Sequence, residues 1–359
     1  MHPDSLPSPT PLPAGATNPG KEPRPGQQRV SAVLAMDTVM LDEVFSGSAL
    51  ARLKEIVDLP HGPISGQALR ERDDLAATEI LVTGWGAPQL DAGILERMPA
   101  LKVIVHSAGS IRNLVSQSVW DRGIRVSSMV ELNNEPVSEF VYAEIVLALK
   151  DVHRRSAILR AQRILPPLNT AHGIYGATIG LVSFGSIARK IRDRLSPLNA
   201  DVITWDPLIT DEDANRAGVR RAVALEDVFR ESDVVSVHAP WIPGITDKLI
   251  GREQLQLLKP GASFINTARG ALVDEDALVD VMTERTDLFA ILDVTWPEPP
   301  MPDSALYTLP NVHLTGHAAG SIGSERTALG DGAISDVERY LNGLPLLGEI
   351  TEAVAKNRA

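Results

Sequence analysis

Three polar residues in the last third of the chain each stand just past an apolar, strand-like run. Arg269 follows Ala262-Ser263-Phe264-Ile265-Asn266, within Asn266-Thr267-Ala268-Arg269-Gly270. Glu298 follows Phe289-Ala290-Ile291-Leu292-Asp293-Val294, within Trp296-Pro297-Glu298-Pro299. His317 follows Val312-His313-Leu314-Thr315, within Gly316-His317-Ala318-Ala319-Gly320. A guanidinium grips a carboxylate in a two-pronged fork. An imidazole moves a proton near neutral pH, and a carboxylate beside it orients the ring and favours its protonated form. Singly, each residue has an ordinary explanation: an ion-pairing arginine, a loop acid, a turn histidine. Together they suit proton-coupled hydride transfer on a 2-oxo or 2-hydroxy acid.

For that chemistry the three must converge, and an open parallel sheet does this by gathering the loops at the carboxyl ends of its strands into one crevice. The pattern supplies such a sheet. From residue 177 apolar strands and helices alternate: strands at 177–182, 202–205 and 234–237, then the three runs above, with helices at 252–258 and 275–282 between them. An earlier series has strands at 30–36, 79–83, 101–105 and 124–127, with a helix at 48–57. It reads as a smaller flavodoxin-like unit. Asn134-Glu135-Pro136 predicts a helix start, with the helix running over 137–150. That helix is apolar nearly all round and must be covered on every side. It is expected to cross between the two units and to contribute to a subunit interface. A long helix at 324–341 is expected to return to the first unit. The fold class is therefore α/β, with two Rossmann-like or flavodoxin-like parallel-sheet domains and a cleft between them.

Composition narrows the functions. The 359 residues suit about two domains. With 34 Lys and Arg against 46 Asp and Glu, the net charge of −12 offers no general attraction to nucleic acid or anionic lipid. There is no cysteine, which excludes disulfides, thiolate catalysis and cysteine-held zinc. A reducing compartment, the cytoplasm, is compatible with this. No apolar run approaches the roughly 18 residues of a membrane span. Residues 1–28 are rich in Pro, Ser and Gly and are expected to form a disordered extension.

A nucleotide site is signalled by the turn after the strand at 177–182. Ser183-Phe184-Gly185-Ser186-Ile187-Ala188 is a weakened G-x-G-x-x-G/A pattern, with Gly185 in the middle position, Ala188 in the third and Ser183 in place of the first glycine. The turn leads into a helix whose first N–H groups can face a phosphate. Asp206 ends the next strand, roughly 20 residues on, where an acid accepts ribose hydroxyls and repels a 2′-phosphate. No arginine follows it in Asp206-Pro207-Leu208, so NAD is expected over NADP.

These residues resemble the D-isomer-specific 2-hydroxyacid dehydrogenase family over about residues 29–350. The resemblance rests on His238-Ala239-Pro240, Pro243-Gly244-Ile245-Thr246, the run from Leu258 through Asn266-Thr267-Ala268-Arg269-Gly270 to Glu275, Leu292-Asp293-Val294, Pro297-Glu298-Pro299, Leu309-Pro310-Asn311-Val312 and Gly316-His317-Ala318-Ala319-Gly320. It implies a homodimer acting on a small 2-oxo or 2-hydroxy acid with NAD. It also implies an NAD-binding Rossmann domain at 132–323 and a discontinuous substrate domain at 29–131 plus 324–359. Arg269 matches the substrate-binding arginine, Glu298 the acid paired with the catalytic histidine, and His317 that histidine. Gly185, Ser186, Ile187, Asp206, Ala239, Thr246, Thr267, Ala268, Asp293, His317 and Gly320 are expected at the cofactor, with Asp293 holding the nicotinamide carboxamide. Gly109 and Ser110 are expected to offer amides to the substrate carboxylate.

The chain departs from the family pattern at three places. Ser183 replaces a glycine in the phosphate turn. Gly316 stands where proline usually precedes the histidine, which is expected to loosen that loop. Arg112 replaces an aspartate in the carboxylate loop Ser107-Ala108-Gly109-Ser110-Ile111-Arg112. Trp85, Trp241 and Trp296 fall in loops near the expected cleft. Two other functions suit the same fold: an NAD-binding, corepressor-like regulator, and a dehydrogenase of formate or phosphite.

Overall fold

The computed structural model describes residues 29–167 and 171–357; the expected extension at 1–28 lies outside the described residues. Two sheets carry the fold. The first is built from β1 (Ala32–Ala35), β2 (Pro63–Ile64), β3 (Ile80–Thr83), β4 (Val103–His106) and β5 (Arg125–Ser128). The second uses β6 (Ala177–Val182), β7 (Ala200–Trp205), β8 (Arg220–Arg221), β9 (Val234–Val237), β10 (Ser263–Asn266), β11 (Phe289–Leu292) and β12 (Val312–Leu314). A last strand, β13 (Glu349–Ile350), joins the first sheet.

The first sheet runs β13-β5-β4-β3-β1-β2, parallel except for β13, which lies antiparallel to β5. The second runs β12-β11-β10-β9-β6-β7-β8 and is parallel throughout. In each, the strand order reverses beside the first strand, which opens a crevice at the carboxyl ends. Both sheets are covered on two faces, so their strands are apolar at nearly every position rather than alternating with polar residues. Phe264 and Ala290 belong to the core on one face, Ile265 and Ile291 to the core on the other. Leu34 and Val33 divide the first sheet in the same way.

The helix between the sheets starts earlier than its sequence predicts. It spans Val130–Leu149, with Asn134 buried in its interior and Pro136 inside it rather than at its start. A proline there removes one N–H bond of the helix. The loss is outweighed by packing at the amino end, where Met129 and Leu132 sit in a core of the first sheet. Val137, Val141, Ile145 and Leu149, four residues apart, pack in a core of the second. This helix therefore joins the two units physically. The helix Ser324–Leu341 returns to the first sheet, where Leu329, Ala333, Ile334 and Val337 share a core with Leu34 and Val105.

Two histidines at strand ends have little contact with water: His106 is buried, and His238 is half-buried with its Nε2 covered. Burial lowers the pKa of His106 to about 4 and of His238 to about 3. Both values lie below the ordinary 6.5, so the unfolded chain binds more protons than the folded one once the pH drops through 6.5. Their contribution to stability is complete above that pH and declines below it. Urea unfolding midpoints should therefore fall between pH 7 and pH 5; a midpoint that stays flat across that window would contradict the burial.

Candidate active site

Arg269, Glu298 and His317 follow β10, β11 and β12, which are adjacent and parallel, so their loops emerge side by side. The first loop is pinned by its own asparagine. Asn266 Nδ2 donates to the Arg269 carbonyl at 3.0 Å, and the Ala268 amide donates to Asn266 Oδ1 at 3.1 Å. Gly270 then lies so close to Thr295 that a Cβ would run into the Thr295 carbonyl. That backbone contact is what brings Arg269 to the loop carrying Glu298. The half-buried guanidinium donates to the Ala268 carbonyl at 2.6 Å and makes no ion pair among the described residues. Burial lowers its pKa, the nearby Glu298 carboxylate opposes that shift, and the like charge of Arg112 adds to it.

His317 Nδ1 lies 2.6 Å from Glu298 Oε1, and both side chains remain substantially open to solvent. The histidine sits at φ 60, a left-handed conformation rare for a residue with a side chain, directly after Gly316 at φ 71. Strained backbone of this kind persists only where the surroundings impose it. Here they do: the His317 amide donates to the Asp293 carbonyl at 2.8 Å, and the Asp293 carboxylate accepts from Thr315 Oγ1 at 2.6 Å, the Ala318 amide at 2.7 Å and the Ala319 amide at 3.1 Å. The expected loosening at Gly316 is therefore not what the loop shows. Gly316 adopts a φ that proline cannot reach, and the loop is held firmly along a path of its own. Asp293 spends most of its acceptors on this loop rather than standing open for a carboxamide.

The indoles of Trp241 and Trp296 pack together at 5.4 Å between centroids beside this pair, whereas Trp85 lies in the first unit against Arg326. The aromatic trio is thus split.

After β4, the loop with Gly109 and Ser110 is tied down by Ser128, whose hydroxyl donates to the carbonyls of Ala108 and Gly109. The amides of Gly109 and Ser110 have no hydrogen-bond partner among the described residues. Asn133 was not legible as a site residue. It lies against Gly109, borders Gly320, and accepts from the Ser321 amide at 3.1 Å. It thereby joins the carboxylate loop to the histidine loop from the middle of a helix, where no local pattern marks it.

Ser183 takes φ 72 and donates its hydroxyl to Asp206 Oδ2 at 2.8 Å; the Phe184 amide reaches the same oxygen at 2.8 Å, and the Leu208 amide reaches Oδ1 at 2.7 Å. The serine thus accepts glycine-like geometry and ties the turn to the acid at the end of β7. Three of the roughly four acceptor positions of that carboxylate are occupied.

Comparison with known proteins places this geometry. Residues 142–319 match the NAD binding domain of the D-isomer specific 2-hydroxyacid dehydrogenases. The chain is 35% identical over 237 residues to the (S)-sulfolactate dehydrogenase of Chromohalobacter salexigens, covering 65% of this chain and 75% of that one. The chain belongs to the D-isomer specific 2-hydroxyacid dehydrogenase family. It is 27% identical over 310 residues to the D-3-phosphoglycerate dehydrogenase of Methanocaldococcus jannaschii, covering 86% of this chain but 58% of that enzyme's length. The solved structure of a phosphoglycerate oxidoreductase from Rhizobium etli superposes with a TM-score of 0.76 at 26% identity, over 90% of this chain and 99% of that one. Among the described residues no helix is long and apolar enough to cross a membrane.

The family's NAD-binding domain has room and donors for the dinucleotide in this chain. A Cβ built on Gly185 meets nothing within 4 Å, so the backbone faces open space of the kind a pyrophosphate would need. No side chain caps the following helix, Ser186–Leu195, leaving its first amides available. Thr267 Oγ1 is buried without a hydrogen-bond partner among the described residues. Ala239 is buried at the end of β9, while Ala268 and Ile187 pack partly into the cores beneath the crevice. Two expected contacts are otherwise engaged. The Thr246 hydroxyl donates to the Pro240 carbonyl at 2.9 Å and accepts from the Ile242 amide at 2.7 Å, bracing its own loop. Ser186 Oγ donates to Glu131 at 2.5 Å.

The two glycines separate stability from binding. Gly185→Ala should leave the melting temperature unchanged and weaken NAD binding at least about tenfold, because its methyl enters the phosphate approach. Gly270→Ala should cost about 2–3 kcal/mol of stability, because its methyl meets backbone. Thermal melts with isothermal titration of NAD check both; equal behaviour of the two variants would contradict this division.

Proposed function

We propose that this protein interconverts a 2-oxo acid and a D-2-hydroxy acid by hydride transfer, with His317 as acid and base. One observation carries this reading: a half-buried guanidinium with no ion pair among the described residues stands beside an imidazole hydrogen-bonded to a carboxylate. A partly dehydrated, unpaired cation costs free energy unless an anion arrives to meet it. Arg269 therefore holds the substrate carboxylate, aided by the Gly109 and Ser110 amides, and stabilises charge developing on the keto oxygen. The bound nicotinamide supplies or accepts the hydride. His317 donates a proton from Nε2 during reduction and withdraws one during oxidation, while Glu298 at Nδ1 fixes the ring. Asp293 is a positioning residue for that ring through the loop amides. We take residues 132–323 as the nucleotide-binding domain and 29–131 plus 324–359 as the substrate domain. The preference is for NAD, because the Asp206 carboxylate, fixed by three donors, stands where it would repel a 2′-phosphate.

The deciding experiment is a panel of 2-oxo acids assayed with NADH, where absence of turnover across the panel would remove the reading. His317→Ala should lower kcat by about 10²–10⁴ while NAD still binds. Arg269→Lys should damage KM and kcat together, because a lysine cannot fork. Reduction should slow as rising pH deprotonates the imidazole, and oxidation should speed up; parallel profiles in both directions would exclude His317 from the proton step. Titration with NADP should give a weaker Kd than with NAD, and equal affinities would refute the assigned role of Asp206.

A further inference from the structure

The arm that carries Glu298 has few means of holding itself in place. Residues 296–299 are exposed, between buried Thr295 and buried Pro300. From Trp296 to Pro300 three of the five residues are prolines, which have no N–H. Only the Trp296 and Glu298 amides can donate, and among the described residues the Glu298 amide has no partner. The Trp296 amide has one: it donates to Glu275 Oε2 at 2.9 Å. Glu275 is the first residue of the helix Glu275–Glu284, which is anchored by buried Leu278, Val281 and Met282. Burial raises the pKa of Glu275, the bond from the Trp296 amide opposes that shift, and the like charge of Asp276 adds to it. A half-buried carboxylate on an anchored helix thus takes the backbone donor that lies two residues before Glu298.

The other contacts of the arm are weaker holds. Thr295 Oγ1 donates to the Pro297 carbonyl at 2.9 Å, which shapes the bend but ties the arm only to its own root. The Trp296 indole rests on Trp241, whose Nε1 donates to Asp247 Oδ1 at 2.5 Å in another loop. At the tip, Glu298 meets His317 through a bond that is largely open to water and has little strength of its own.

We propose that Glu275 is a positioning residue for the proton step: its bond to the Trp296 amide fixes the arm on which Glu298 stands, and through Glu298 the ring of His317. The inference rests on the reading of Glu298 and His317 as the acid–base pair and adds the group that aims it. Glu275 touches neither substrate nor nucleotide in this scheme. Losing its bond should therefore slow the reaction and leave binding alone.

The test is steady-state reduction by NADH of the best 2-oxo acid of the panel, with circular dichroism to confirm folding. Glu275→Ala should lower kcat about tenfold, while KM and the Kd of NADH change less than about twofold. Glu275→Gln keeps an acceptor oxygen at the same reach and should work nearly as well as the wild type. Glu275→Asp keeps the charge but falls one methylene short, and should resemble Glu275→Ala. In a Glu298→Ala background, Glu275→Ala should cost less than about a further twofold in kcat, because the group it positions is already gone. A Glu275→Gln variant as slow as Glu275→Ala, a Glu275→Asp variant with full turnover, or losses that multiply in the double variant would overturn the inference and leave the parent reading standing. If Glu275→Ala does not fold, the Gln and Asp variants decide the matter by themselves. If Glu298→Ala alone retains full kcat, the reading of the acid–base pair fails and this inference with it.

Discussion

The buried carboxylate of Asp293 holds the site together. It collects a hydroxyl and two amides from the loop that follows β12, and its own carbonyl takes the amide of His317. Those bonds force the two consecutive left-handed residues that point the imidazole at Glu298. An exposed histidine–glutamate pair has little intrinsic stability in water. Its geometry is fixed because the backbone beneath it is fixed, and that backbone is fixed by a charge that cannot return to solvent without leaving three donors unpaired.

The same device recurs across the crevice. Asp206 gathers the Ser183 hydroxyl and the Phe184 amide, so that the nucleotide turn and the end of β7 move as one piece. Ser128 holds two carbonyls of the carboxylate loop, and Asn266 staples the arginine turn. Each loop that would touch a ligand is braced by a polar side chain at or near the end of a strand. Among the described residues, the Gly109 and Ser110 amides have no partner, the helix start at Ser186 has no side-chain cap and the Arg269 guanidinium has no ion pair, and these are groups an anion would need. Rigid loops with unspent donors suit a site preorganised for charge rather than one shaped by its substrate.

Coupling between the two units runs through the helix Val130–Leu149. Its amino end packs in one core and its remainder in another, and Asn133 touches both the carboxylate loop and the histidine loop. Glu131 on the same helix accepts from Ser186 at the nucleotide turn. A shift of this helix would therefore be felt at three loops: those carrying Gly109, Ser321 and Ser186.

The alternation of apolar strands and helices was enough to read both parallel sheets, because buried strands and amphipathic helices have short-range periods written in the chain. The positions of Arg269, Glu298 and His317 past three such strands were legible for the same reason: in a parallel sheet, strand ends share one edge. The short edge strands β2, β8 and β13 were not legible, since two residues carry no period. The start of the helix at Val130 was misread, because Asn134 and Pro136 carry a local start signal that long-range packing of Met129 and Leu132 overrides. Nor could the sequence say how the polar side chains would be spent. That Asp293 braces a loop, that Ser183 turns its hydroxyl to Asp206, and that Asn133 joins two loops are facts of distance between segments far apart in the chain. Hydrogen bonds and charges act through space, and only the folded chain decides which of them meet.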